Sequence, residues 1–112
     1  MRIIVSVVAM ATMLSPHVSF ANEAQEQFQK LSMLFVANEK CVGQRYNDAS
    51  LSGHIYRLGM TMGWDKDKIE AETQIEYDGS LKQYEKDVAG FCKTAKEWRE
   101  QNKDELQKMN VL

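Results

Sequence analysis

The chain has 112 residues, a formal charge of −2, 44% hydrophobic residues, two cysteines and a single proline. That length holds one domain rather than several. The acidic balance offers no basic patch to neutralise phosphates, which sets aside nucleic acid and anionic lipid surfaces as partners.

The chain opens on MRIIVSVVAMATMLSPHVSFA, with one positive charge at Arg2, an apolar run from Ile3 to Leu14, and a helix-breaking, small-residue stretch from Ser15 and Pro16 to Ala21. This is the three-part layout of a signal peptide. The run is 12 residues long, whereas a bilayer-spanning helix needs about twenty, so cleavage is expected rather than a retained anchor. Ser19 and Ala21 supply the small residues wanted before the cut, which makes Asn22 the expected mature N-terminus. No Cys follows to carry lipid. The expected address is the periplasm of a Gram-negative bacterium, with no membrane insertion once the leader is removed.

Removing residues 1–21 takes away Arg2 and no acid, leaving a single domain over residues 22–112 with 13 basic and 16 acidic side chains, a formal charge of −3. A chain of this size has a marginal core and gains from a staple. Cys41 and Cys92 provide one, because an even number of Cys in an exported chain reads as a disulfide. Neither a CxxC spacing nor neighbouring His ligands suggest a redox or metal pair instead. The only proline, Pro16, lies in the leader, so nothing in the mature part blocks helices. The expected fold is all-α, a small bundle of about four helices held by one disulfide.

From Glu23 to Tyr46, the apolar residues Phe28, Leu31, Leu34, Phe35, Cys41, Val42 and Tyr46 stay on one stripe at helical spacing, which predicts an amphipathic helix with Cys41 at the edge of its buried face. Asn47 to Ser50 then offer turn and cap chemistry, so a second helix is predicted from about Leu51 to Met62, ending at Gly63. Its Leu51, Ile55, Leu58 and Met62 share one side, while Tyr56, Met60 and, if the turn continues, Trp64 share the other.

Asp65 is a good cap for a third helix, with Trp64 and Ile69 placed as a hydrophobic staple. That acid-rich helix reads as a solvated face and is predicted to end or kink near Gly79 and Ser80. From Leu81 onward, Leu81, Tyr84, Val88, Phe91, Cys92, Ala95 and Trp98 form another single stripe that brings Cys92 to the core side. Beyond Trp98 the polar run REQNKDELQK keeps only Leu106 and Met109 on that stripe, so the C-terminal end is expected to fray or project.

No catalytic constellation emerges. His54 is the sole histidine of the mature part, and the nearby Ser50 and Ser52 come with no carboxylate placed to orient an imidazole. The run DKDKIEAETQIE lacks the glycine of a calcium loop and carries Lys at the intervening places. A non-enzyme without cofactor or metal is expected. What remains is surface: Tyr56, Met60 and Trp64, bordered by Arg57 and by Tyr46 and Asp48, combine side chains of the kinds enriched at protein interfaces. The simpler alternative is that the second helix is sandwiched and both its faces are core.

The layout of leader, about 90 helical residues and one long-range disulfide resembles two periplasmic groups: acid-stress chaperones of the HdeA type, and immunity proteins that neutralise type VI secreted amidases. The run CVGQRYNDA, from Cys41 to Ala49, is similar to the Cys, small or apolar, Tyr and Asp run around the first disulfide cysteine of the immunity group. No matching residues around Cys41 or Cys92 support the chaperones. The expected function is a secreted protein-binding domain, most concretely an inhibitor or immunity protein for an exported enzyme. An acid-stress chaperone is the first alternative, and a small structural component of an envelope or secretion machine the second. A homodimer is left open.

Overall fold

The computed structural model describes residues 23–112; the expected signal peptide, residues 1–21, lies outside them. The described part is a small all-α bundle of five helices: α1 (residues 23–40), α2 (Asp48–Thr61), α3 (Lys66–Lys86), α4 (Val88–Gln101) and α5 (Lys103–Lys108). The stripes of α1 and α4 meet at a disulfide between Cys41 and Cys92, with Cα atoms 5.6 Å apart.

Of the nine largest fully buried side chains, Phe28, Leu31, Ser32, Leu34 and Val36 come from α1, which makes it the helix around which the others pack. Ser32, the polar member of that group, donates its hydroxyl proton to the Phe28 carbonyl at 2.7 Å and so costs little to bury. The predicted continuation of α1 to Tyr46 does not occur. Gly43 adopts φ 81°, a left-handed conformation that ends helices and that L side chains avoid. Val42, expected on the buried stripe, is fully exposed in the resulting turn. Tyr46 is buried by another route: its amide donates to the Asn38 Oδ1 at 2.9 Å and its hydroxyl to the Gln44 Oε1 at 2.8 Å. Gln44 in turn donates to the carbonyl of Cys92 at 2.9 Å, tying this segment to the disulfide.

Asn47 caps α2, its side chain accepting from the Ser50 amide at 3.2 Å, so the helix opens three residues before Leu51. At its other end Gly63 also sits at φ 81°; its amide donates to the Met60 carbonyl at 2.9 Å, and the Trp64 amide reaches back to the Gly59 carbonyl at 3.0 Å. These two bonds are the Schellman pattern, which terminates the helix and turns the chain sharply. Asp65 then caps α3 by accepting from the Lys68 amide at 2.8 Å. The two helices come into close contact where Gly59 faces Ile69: a Cβ at Gly59 would lie 2.4 Å from the Ile69 Cγ1.

The predicted break at Gly79 and Ser80 is absent, and α3 runs through both. Gly79 is exposed and nothing lies within 4 Å of where its Cβ would be; a lone glycine weakens a helix by only about 1 kcal/mol relative to alanine, too little to stop one held by its neighbours. The break falls at Asp87, in an extended conformation (φ −153°, ψ 86°), whose side chain accepts from the Gly90 amide at 3.0 Å and so starts α4. The aromatic rings of Tyr84 and Phe91 meet edge to face across this junction, with centroids 6.0 Å apart.

The C-terminal end does not fray. Leu106 on α5 and Val111 beyond it are fully buried, and the Val111 carbonyl accepts the Asn47 amide at 2.8 Å. Asn102 supports the turn between α4 and α5 by donating from its side chain to the Trp98 carbonyl at 2.9 Å.

Candidate functional site

On the side of the Gly59–Ile69 contact away from the α2–α3 turn lies a cleft of about 350 Å³, lined by Phe35 of α1, by Ser52, Ile55 and Tyr56 of α2, and by Ile69, Glu70, Thr73, Gln74 and Tyr77 of α3. Spacings of three and four residues place these side chains on one face of each helix. Two phenols pin the edges. Tyr56 donates its hydroxyl proton to the Glu70 Oε2 at 2.9 Å, and Tyr77 donates to the Glu39 Oε1.

Those bonds raise both phenol pKa values above the ordinary range, since each carboxylate accepts the proton and opposes a second negative charge beside it. Tyr46 is also raised, first by burial, with the Arg99 guanidinium pulling the other way.

The structure distributes the sequence-predicted surface among three places. Tyr56 is half-buried at the cleft, and Met60, one turn further along the same face of α2, is 59% exposed. Arg57 beside them is exposed. Trp64 does not continue that stripe, because the Schellman turn carries it off the helix and onto the core, where its ring meets Phe28 edge to face at 5.2 Å. Its other neighbour is Lys68, whose ammonium lies 5.2 Å from the ring centroid. Tyr46 is buried, and Asp48 is exposed at the start of α2, accepting from the Asn38 side chain at 2.9 Å.

The cleft residues Phe35, Glu70 and Tyr77 escaped the sequence reading, which treated α3 as a solvated acidic face. The signal was present: Ile69, Thr73 and Tyr77 recur at intervals of four along α3 and mark a second, partly apolar side. Ser50 and His54 lie apart from the cleft, in a hollow of about 380 Å³ shared with Arg57 and Lys108, and no carboxylate lines it. Among the described residues no helix is long and apolar enough to cross a membrane, and no group of three His, Cys, Asp or Glu side chains is arranged to hold a metal ion.

No protein-family model, no curated protein and no solved structure matches the chain.

Proposed function

We propose that this chain is a non-enzymatic, exported protein-binding domain of the periplasm, acting as an inhibitor or immunity protein for an exported enzyme such as a type VI secreted amidase. The observation that carries this reading is the open, aromatic-lined cleft edged by Tyr56, with Met60 exposed on the same helical face. Tyr and Met are among the side chains enriched where proteins meet. A scaffold stapled between α1 and α4 presents them with little left to order on binding, which lowers the entropic cost of association. The run from Cys41 to Ala49 adds its similarity to the immunity group.

The test is capture from periplasmic extract and from secreted effectors by oxidised residues 22–112, with a Tyr56→Ala, Met60→Ala variant as control. Trp64 is unsuited as a probe, because its ring is part of the packing around Phe28. Capture of one enzyme by the wild type and its loss in the variant is expected. Equal capture by both would remove this surface from the reading.

The acid-stress chaperone is the second reading, and the charge balance of residues 22–112, with 16 acidic and 13 basic side chains, favours it. Side-chain bonds from Tyr56 to Glu70 and from Tyr77 to Glu39 tie α3 to α2 and α1 over apolar surface. At about pH 2 to 3 a chain of this composition loses most of its negative charge, and the 13 basic side chains of residues 22–112 repel one another. Protection of an aggregating client at that pH, absent at neutral pH, is the expected result under this reading; no protection at either pH would eliminate it.

A further inference from the structure

We infer that the cleft between α2 and α3 receives one basic side chain, a lysine or arginine, presented by the protein partner. The inference rests on the protein-binding reading and gives it a chemistry. Three aromatic side chains, Phe35, Tyr56 and Tyr77, line the cleft together with the Glu70 carboxylate, and no Lys, Arg or His does. Aromatic rings attract cations through their quadrupole, and a carboxylate beside them adds direct charge complementarity.

The carboxylate is already oriented. Glu70 accepts the Tyr56 proton on Oε2, which leaves Oε1 for an incoming donor. Tyr77 in the same way donates to Glu39, which lies outside the cleft. Each phenol that donates to a carboxylate has a more electron-rich ring, which strengthens its pull on a cation. A neutral apolar ligand would instead have to strip water from Glu70 without replacing it.

The dimensions and the neutral groups select the source. A space of about 350 Å³ is at the lower end of ligand sites, enough for one long side chain. A polyamine spreads several charges along its length and needs acids spaced to match, whereas a single carboxylate lines this cleft. Ser52 and Gln74 add a hydroxyl and a carboxamide suited to the peptide groups flanking an inserted side chain. Gln74 uses its Nε2 to donate to Asp78 at 2.9 Å, which leaves its Oε1 as the atom of that amide that can accept from a ligand.

The experiment is an NMR titration of oxidised residues 22–112 with Nα-acetyl-lysine N-methylamide, its neutral isostere Nα-acetyl-norleucine N-methylamide, and spermidine, in about 0.1 M salt to screen long-range attraction. The expected result is saturable binding of the lysine compound, with shifts confined to Tyr56, Ile69, Thr73 and Tyr77, about fivefold or more tighter than the norleucine compound. Glu70→Gln, which preserves shape, brings the two to parity, while Glu85→Gln on the exposed surface outside the cleft changes neither; the spectra of the free variants report that both are folded. Parity in the wild type, an undiminished preference in Glu70→Gln, or tighter binding of spermidine would overturn the inference. Capture of a partner by a protein whose cleft ignores lysine would overturn it too and leave the protein-binding reading standing. Failure of capture counts against that reading alone, because the titration reads the cleft directly.

Discussion

Met60 and Trp64 are both large, apolar and four residues apart, yet they carry different energies. Trp64 meets Phe28 edge to face and packs, partly buried, against the core, so Trp64→Ala is expected to destabilise the domain by about 2 kcal/mol, read as a lower urea midpoint by circular dichroism. Met60, 59% exposed, is expected to change stability by less than about 0.5 kcal/mol on replacement by alanine in the same measurement. Any loss of partner binding in Met60→Ala then reports a lost contact and not a lost fold. The tyrosines set the behaviour in alkali. Burial pushes the Tyr46 phenol up, and bonds to Glu70 and Glu39 push Tyr56 and Tyr77 up. A raised value in the folded state means that the native protein holds the phenolic proton more tightly than the unfolded chain does. The stabilisation is therefore complete below the ordinary phenol value of about 10 and is lost as pH climbs through the raised ones. Urea midpoints are expected to hold up to about pH 9 and to fall above about pH 10, with a smaller fall in Tyr46→Phe.

Contacts between helices depend on what a residue lacks as much as on what it carries. Gly59→Ala would gain helix propensity, but its Cβ would meet the Ile69 side chain well inside van der Waals contact, and the β-branched Ile69 would have to leave its packed rotamer to make way. Overpacking is expected to win, with a net loss of about 1 to 2 kcal/mol. A cycle with Ile69→Ala should be strongly non-additive, since the second change removes the clash that the first creates. Asp87 is the other decisive junction: Asp87→Ala removes the bond to the Gly90 amide and is expected to cost about 1 kcal/mol in thermal or urea unfolding. These two positions also explain which elements could be read from the sequence. The stripes of α1 and α2, the Asp65 cap and the stop at Gly63 were legible because periodicity and capping are local, whereas the stripe predicted from Leu81 to Trp98 is divided between α3 and α4 at Asp87 and its Val88 is exposed. Gly79 misled because a glycine is a weak breaker inside a helix held by its neighbours, and the true signal was an aspartate three residues before Gly90. Val42 fitted the stripe of α1 but fell beyond the left-handed turn at Gly43. The cleft was only half legible: Tyr56 was found, but Phe35 and Tyr77 join it through the packing of three helices, which one helix's wheel does not contain.

For the whole domain, the staple is the largest single contribution that can be removed cleanly. The cysteines are 51 residues apart, and closing a loop of that length stabilises by about 4 kcal/mol in the chain-entropy model. Against a typical stability of about 5 to 15 kcal/mol, the Cys41→Ser, Cys92→Ser double variant is expected to melt well below the oxidised wild type and to match the reduced protein in a calorimetric scan. The stripes of α1 and α4 also bury apolar surface, so the double variant is expected to keep its helical circular dichroism at low temperature. The bond from the Asn47 amide to the Val111 carbonyl has a consequence for time rather than for energy. It joins the cap of the second helix to a residue far along the chain, and Leu106 and Val111 fill the core beside it. A chain in which α1 and α2 have formed still lacks the side chains that cover this part of the core, so the domain closes only once α5 and the residues after it have docked.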